Sequence, residues 1–172
     1  MNKIISELKL HWSNPKSAVH RGKQIPFKLV CKFGTPAIMD ELAAVKHLPA
    51  DLRLFWQEAR EADLFADSQH GQWGLRVWSP GRSVEKTAEL RSLSDTELDI
   101  YDLIIGEFLG DSELLLVRCD PRAADFGQVV VVLPIDARKD WPIAASNLSE
   151  FIAKYVESSG DKFWDRSSRT TH

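Results

Sequence analysis

The stretch LIIGEFLGDSELLLVRCD, residues 103–120, consists of two apolar runs joined by a connector rich in glycine and acidic residues. Paired strands need apolar side chains on the core side of the sheet, and a tight connection needs glycine, which adopts positive φ at little steric cost. The stretch therefore predicts a β-hairpin whose turn lies at residues 106–112. Three acidic residues, Glu107, Asp111 and Glu113, are then expected on the connector.

Apolar periodicity predicts further elements on both sides of this hairpin. Residues 25–34 alternate apolar and polar side chains, as in a half-buried strand, and their lysines suit a sheet edge. The branched run at residues 128–133 predicts a central strand. Another strand is expected at residues 73–78, and helices are expected to begin at Thr35, Pro49, Ser83 and Asn147. We therefore expect one α+β domain, a mainly antiparallel twisted sheet of about four to six strands with helices packed on it.

Length and composition are those of one ordinary globular domain. The chain has 172 residues, of which 44% are hydrophobic and 27% are charged. Its two cysteines, Cys31 and Cys119, are too few and too far apart for a disulfide framework or a paired zinc site. The first residues lack the apolar run of a signal peptide, and no later run reaches membrane-spanning length. We expect a cytoplasmic protein without a membrane partner, and we predict no metal or other cofactor.

Charge is divided unevenly along the chain. Residues 1–39 contain seven basic residues and one acidic residue, whereas residues 85–113 contain nine acidic residues and two basic ones. The amino-terminal cations are dispersed through a strand pattern and lack the clustered arginines and interleaved aromatics of a nucleic-acid surface. We therefore expect no nucleic-acid binding. The acidic window, with a net charge of −7, is instead suited to steering a cationic partner.

Three segments occur in an order that resembles the SUKH superfamily. They are a Leu-Pro helix start at residues 48–55, the Gly-Asp turn within residues 105–115, and an Ala-Ser-led helix at residues 143–152. The resemblance covers residues 38–157, and residues 60–63 read Arg-Glu-Ala-Asp where the family usually has an Asn-Gly pair. It implies an α+β domain that binds another protein and has no catalytic residues, as in fungal cell-wall synthesis regulators and bacterial immunity proteins.

The resemblance suggests three parts in the chain. They are an amino-terminal arm at residues 1–34, formed by a short helix and an edge strand, a SUKH-like domain at residues 35–164, and a polar tail at residues 165–172.

The leading hypothesis is a non-enzymatic immunity protein that binds and neutralises a toxin domain with a basic surface. The chain itself is expected to be a monomer or a weak homodimer. Trp78 and Trp141 are predicted as aromatic anchors at the interface, although aromatic side chains of this size are more often buried in a core. The predicted partner-binding carboxylates are Asp95, Glu97, Asp99, Asp102, Glu107, Asp111 and Glu113.

Two alternative functions belong to other classes of protein. The acidic cluster at residues 95–113 could assemble a metal site for hydrolysis, or the protein could be a regulatory scaffold of cell-envelope synthesis. Residues 95–99 also resemble the start of a calcium loop, but Ile100 stands where that loop needs glycine and Gly106 where it needs glutamate. A solvated acidic loop is therefore the simpler interpretation of residues 95–99.

Overall fold

The computed structural model describes residues 1–93 and 95–165, so most of the predicted polar tail, residues 166–172, lies outside the described residues. In the described part, a single antiparallel sheet of eight strands follows chain order from one edge to the other. The strands are β1 Lys16–His20, β2 Lys23–Phe33, β3 Ala62–Asp67, β4 Leu75–Val77, β5 Asp102–Phe108, β6 Leu114–Arg118, β7 Val129–Val132 and β8 Ile143–Ala145. The helices are α1 Asn2–His11, α2 Met39–Ala43, α3 Ala50–Glu58, α4 Pro80–Arg91 and α5 Leu148–Glu157, with a short 3-10 helix at Arg138–Asp140.

The predicted α+β class is confirmed, but the sheet has eight strands instead of four to six. Five of the eight strands were predicted individually, and the other three, β1, β3 and β8, have weak sequence signals. β1 is half polar, β3 is short and bounded by acidic residues, and β8 has only three residues. Their pairing with neighbouring strands defines them, because their own apolar alternation is too short to reveal a period.

Helices cover both faces of the sheet. On the inner face, α1, α3 and α5 enclose the main core, which includes Trp56, Phe151 and Tyr155. On the outer face, α4 packs on β5, and the Thr87 hydroxyl accepts a hydrogen bond of 2.9 Å from the Ile104 amide. All four residues of β7 are buried, as expected for a strand with side chains packed on both faces. Within the described residues, no helix combines the length and apolar character needed to cross a bilayer.

The amino-terminal arm is part of this sheet. Ile5 and Leu8 of α1 are buried in the inner core, and β1 pairs with β2, which in turn pairs with β3. The edge position predicted for residues 25–34 is therefore wrong, since β1 forms the edge and β2 lies inside the sheet. Ala18 and His20 are the buried residues of β1, a pattern too polar to predict a strand.

Two of the four predicted helix starts agree with the structure and two do not. α3 begins directly after Pro49, and the Asn147 side chain caps α5 by accepting a hydrogen bond of 2.9 Å from the Glu150 amide. The helix predicted from Thr35 begins only at Met39. Its first turn is capped by the Glu41 carboxylate, which accepts a hydrogen bond from the Ile38 amide. The helix predicted from Ser83 already begins at Pro80, after the Ser79 side chain, which caps it.

The hairpin of residues 103–120 is confirmed, but its turn is shorter than predicted. β5 continues to Phe108, so Gly106 and Glu107 belong to a strand and not to the connector. Gly110, with φ +77°, is a turn glycine. Glycine is required at position 106 for a different reason, because a Cβ there would lie 2.3 Å from the Arg76 carbonyl oxygen on β4. The close approach of two strands requires this glycine.

Candidate binding groove

The nine predicted partner-binding residues do not form one surface. Asp102 begins β5, whereas Asp111 and Glu113 lie beyond its other end. A strand of seven residues extends about 20 Å, so the two ends of the hairpin present separate groups of carboxylates.

Asp102 is a buried structural carboxylate. Its side chain is 2% exposed and forms a two-pronged ion pair with Arg138, in which Nη2 lies 3.1 Å from Oδ1 and Nη1 contacts Oδ2. The Asp99 amide donates a further hydrogen bond of 2.7 Å to Oδ2. This pairing raises the pKa of Arg138, chiefly through the hydrogen bond to Asp102. The exposed position predicted for Asp102 is therefore wrong, because the arginine that covers it comes from the 3-10 helix, far along the chain.

At the far end of the hairpin, Lys162 binds two carboxylates. Its Nζ lies 2.5 Å from Asp111 Oδ2 and also contacts Glu113 Oε2. The hydrogen bond from Lys162 lowers the pKa of Asp111, whereas burial raises the pKa of Glu113. Glu113 is buried and Asp111 is exposed. The exposed position predicted for Glu113 is wrong, and Asp111 is already ion-paired within the chain.

Glu107 lies on β5, where it is half-buried and opposite Arg76 of β4. Its carboxylate accepts a long hydrogen bond of 3.4 Å from the Trp78 indole. Trp78 is only 5% exposed and belongs to the outer-face core, so the exposed anchor predicted at this position is wrong. Trp141 is also buried, at 7% exposure, and its indole donates hydrogen bonds to the carbonyl oxygens of Leu133 and Asp136. The exposed anchor predicted at Trp141 is therefore wrong as well.

The remaining predicted residues, Asp95, Glu97 and Asp99, are exposed. The Asp99 carboxylate accepts a hydrogen bond of 3.0 Å from the Tyr101 amide and so stabilises the turn that leads into β5. Asp95 and Glu97, together with Trp141, line a groove of about 760 Å³ on the outer face of the sheet.

This acidic groove lies between two walls. One wall is the carboxyl end of α4 with residues 95–98, and the other is the loop of residues 134–137. Leu93 and Ile135 are 60% and 91% exposed at its mouth. Its floor is apolar and consists of Leu98, Ile104, Leu114, Val132 and Trp141. Its acidic residues are Asp95, Glu97 and Asp136, and no lysine or arginine among the described residues lines it.

Arg138 holds the two walls together. Its backbone amide donates a hydrogen bond of 2.6 Å to the Glu97 carboxylate, and its Nη1 donates one of 3.2 Å to the Glu97 carbonyl oxygen. The guanidinium also lies over the Trp141 ring, 5.5 Å from the centroid. Through these contacts and its ion pair with Asp102, one residue of the 3-10 helix fixes the position of residues 97–102.

Two carboxylates of the groove have no partner in the described part of the chain. Neither Asp95 nor Asp136 forms a side-chain hydrogen bond or ion pair with residues 1–93 or 95–165. The sequence patterns did not predict Asp136 or Ile135 as site residues, because both lie in a loop between two predicted elements. Their only signal was an apolar residue next to an acid in the Pro134–Ala137 segment, which is also common in ordinary loops.

Other parts of the described structure offer weaker candidates. A cavity of about 940 Å³ between the β1–β2 turn and α5 is lined by charges of both signs, including Arg21, Lys154, Glu157 and Asp161. In the described ranges, no group of three or more His, Cys, Asp or Glu residues is arranged to hold a metal ion. Cys31 and Cys119 are buried, and burial raises the pKa of each thiol to about 12.

The chain was also compared with known proteins. No protein-family model matches it, and no curated protein sequence matches it.

Proposed function

We propose that this protein is a non-enzymatic binding module that neutralises a toxin domain with a basic surface. The observation that carries the proposal is the acidic groove, where the open carboxylates of Asp95 and Asp136 flank an apolar floor. An apolar centre within a polar rim is the usual anatomy of a protein interface. The resemblance of residues 38–157 to the SUKH superfamily supports the immunity role.

The state of the other carboxylates also supports binding over hydrolysis. A metal-assisted hydrolase would need several carboxylates to converge on one cation. Asp102 is instead neutralised by Arg138, and Asp111 and Glu113 share Lys162. These three residues stabilise the fold, and the carboxylates left open at the groove are spaced around an apolar surface suited to another protein.

Neutralisation would follow from occlusion. A toxin that acts on nucleic acid needs a basic cleft, and such a cleft complements the carboxylates at the groove. Long-range attraction would speed the encounter, and the apolar floor would slow dissociation once water is expelled. The bound protein would then cover the cleft, and no chemical step on the toxin is required.

The proposal predicts a toxin gene next to the gene for this protein, and co-expression with that toxin domain tests it. Wild-type protein should restore growth, whereas the double variant Asp95→Lys, Asp136→Lys should fail to restore it. The matched control is Glu7→Lys, Glu157→Lys, which makes the same charge change at exposed positions on α1 and α5, outside the groove.

Equal rescue by both double variants would contradict the role of the groove, and no rescue by wild-type protein would contradict the immunity role. Heat on titration with Mg²⁺ or Mn²⁺ would instead favour the hydrolase. A defect in cell-envelope synthesis on deletion of the gene would favour the regulatory scaffold.

A further inference from the structure

We propose that the acidic groove is an anchor pocket for a lysine or arginine side chain of the partner. The aliphatic part of that side chain would lie on the apolar floor, and its cation would reach the carboxylates of Asp95 and Asp136. This inference rests on the proposed function, because it specifies which part of a partner protein enters the groove.

The composition of the groove fits such a side chain better than a purely apolar one. Lysine and arginine bury their methylene groups against apolar surface while keeping the charged end in a polar setting. The groove offers both environments, since side chains of the outer-face core form its floor and acidic residues stand on both walls. A volume of about 760 Å³ lies within the range of sites that enclose small ligands and leaves room for an apolar residue next to the cation.

The negative charge of the acidic groove favours a cationic side chain. Asp95 stands on one wall and Asp136 on the other, and neither carboxylate is neutralised by a described residue. The guanidinium groups of this region are already bound, that of Arg138 to Asp102 and the Glu97 carbonyl oxygen, and that of Arg91 to the carbonyl oxygens of Asp99 and Asp102. An incoming cation would therefore meet uncompensated negative charge from two sides, whereas a carboxylate of a partner would be repelled.

The walls are also preorganised. The contacts of Arg138 with Asp102, Glu97 and Trp141 hold residues 97–102 against the 3-10 helix in the absence of a ligand. Binding a side chain therefore requires little further ordering of residues 97–102, and less of the interaction energy is lost to conformational entropy there.

Small probes can test the pocket without the partner. Hexylguanidinium and hexylammonium carry the aliphatic chain and the cation, whereas hexanoate and hexanol carry the same chain with a negative or neutral end. We expect both cations to shift the NMR signals of the Trp141 indole N–H and of the Leu98 and Val132 methyl groups, with dissociation constants of about 1 to 10 mM. Hexanoate should bind at least about tenfold more weakly.

Charge-neutral variants identify the carboxylates involved. Asp95→Asn, Asp136→Asn should weaken hexylguanidinium binding by about tenfold, whereas the control Glu7→Gln, Glu157→Gln should leave it unchanged. Unchanged amide signals on the inner face would show that the first variant is folded. Equal binding of hexanoate and hexylguanidinium, or equal binding by the two variants, would overturn the anchor. The growth-rescue experiment is independent of this result, so the anchor can fail while the immunity function stands.

Discussion

Arg138 provides the strongest test of how the groove is built, because its removal leaves the buried Asp102 carboxylate without its ion-pair partner. In the variant Arg138→Met, Asp102 would keep the hydrogen bond from the Asp99 amide but lose both contacts with the guanidinium. Breaking a buried ion pair by removing one partner costs roughly 3 to 5 kcal/mol. We expect the lower end, about 3 kcal/mol, because the Arg138 side chain is 30% exposed and water can approach the pair from that side.

Urea unfolding followed by circular dichroism measures this loss. With a denaturant slope of about 2 kcal/mol/M for a domain of this size, the midpoint should fall by about 1.5 M. Asp102→Asn should cost less, about 1 to 2 kcal/mol, since the partly exposed guanidinium that remains can be hydrated. The control Arg122→Met removes a pair in which the arginine is 76% exposed, and we expect a change below about 1 kcal/mol. If Arg138→Met lowers the free energy of unfolding by no more than Arg122→Met does, the Arg138–Asp102 ion pair does not hold the groove walls, and our reasoning is refuted.

Three further predictions concern the hairpin, the Lys162 cluster and the cysteines. Gly106→Ala should destabilise the fold by about 2 kcal/mol, because the added Cβ would meet the β4 backbone. The control Gly81→Ala should not destabilise it, since a Cβ there would have no atom within 4 Å, and equal urea midpoints for the two variants would contradict this prediction. Lys162→Met should cost about 2 kcal/mol near pH 7 and less as the pH falls, because burial raises the pKa of Glu113 and its protonation removes the unpaired charge. A loss of stability that does not change with pH would refute this cause. Burial raises the pKa of both cysteine thiols to about 12, so a thiol reagent should label them only after unfolding, and rapid labelling of the native protein would show that they are accessible.

Local sequence patterns predicted the parts of the fold whose causes are local. The hairpin of residues 103–120 follows from its two apolar runs, and the start of α5 follows from the Asn147 cap. The requirement for Gly106 could not be predicted, because the atom that excludes a side chain belongs to Arg76 on another strand. Close approach between strands depends on tertiary register, which one segment does not specify.

The candidate site was predicted in composition but not in arrangement. A window with a net charge of −7 predicts an acidic surface, yet burial of its members depends on cations far away in the chain. Asp102 is covered by Arg138, 36 residues later, and the buried Glu113 is paired with Lys162, 49 residues later. Of the window's carboxylates, Asp95 and Glu97 line the groove, and Asp136 joins them from a loop outside that window.

Calorimetry at two salt concentrations, with a toxin domain of the proposed basic class, measures whether the protein binds through the acidic groove. We expect the affinity to fall by at least about tenfold between about 50 and 500 mM NaCl, because screening weakens attraction between charged surfaces. We also expect a loss of about tenfold or more in Asp95→Lys, Asp136→Lys, with no loss in Glu7→Lys, Glu157→Lys. An affinity that is independent of salt, and equal in the two double variants, would contradict binding through the acidic groove.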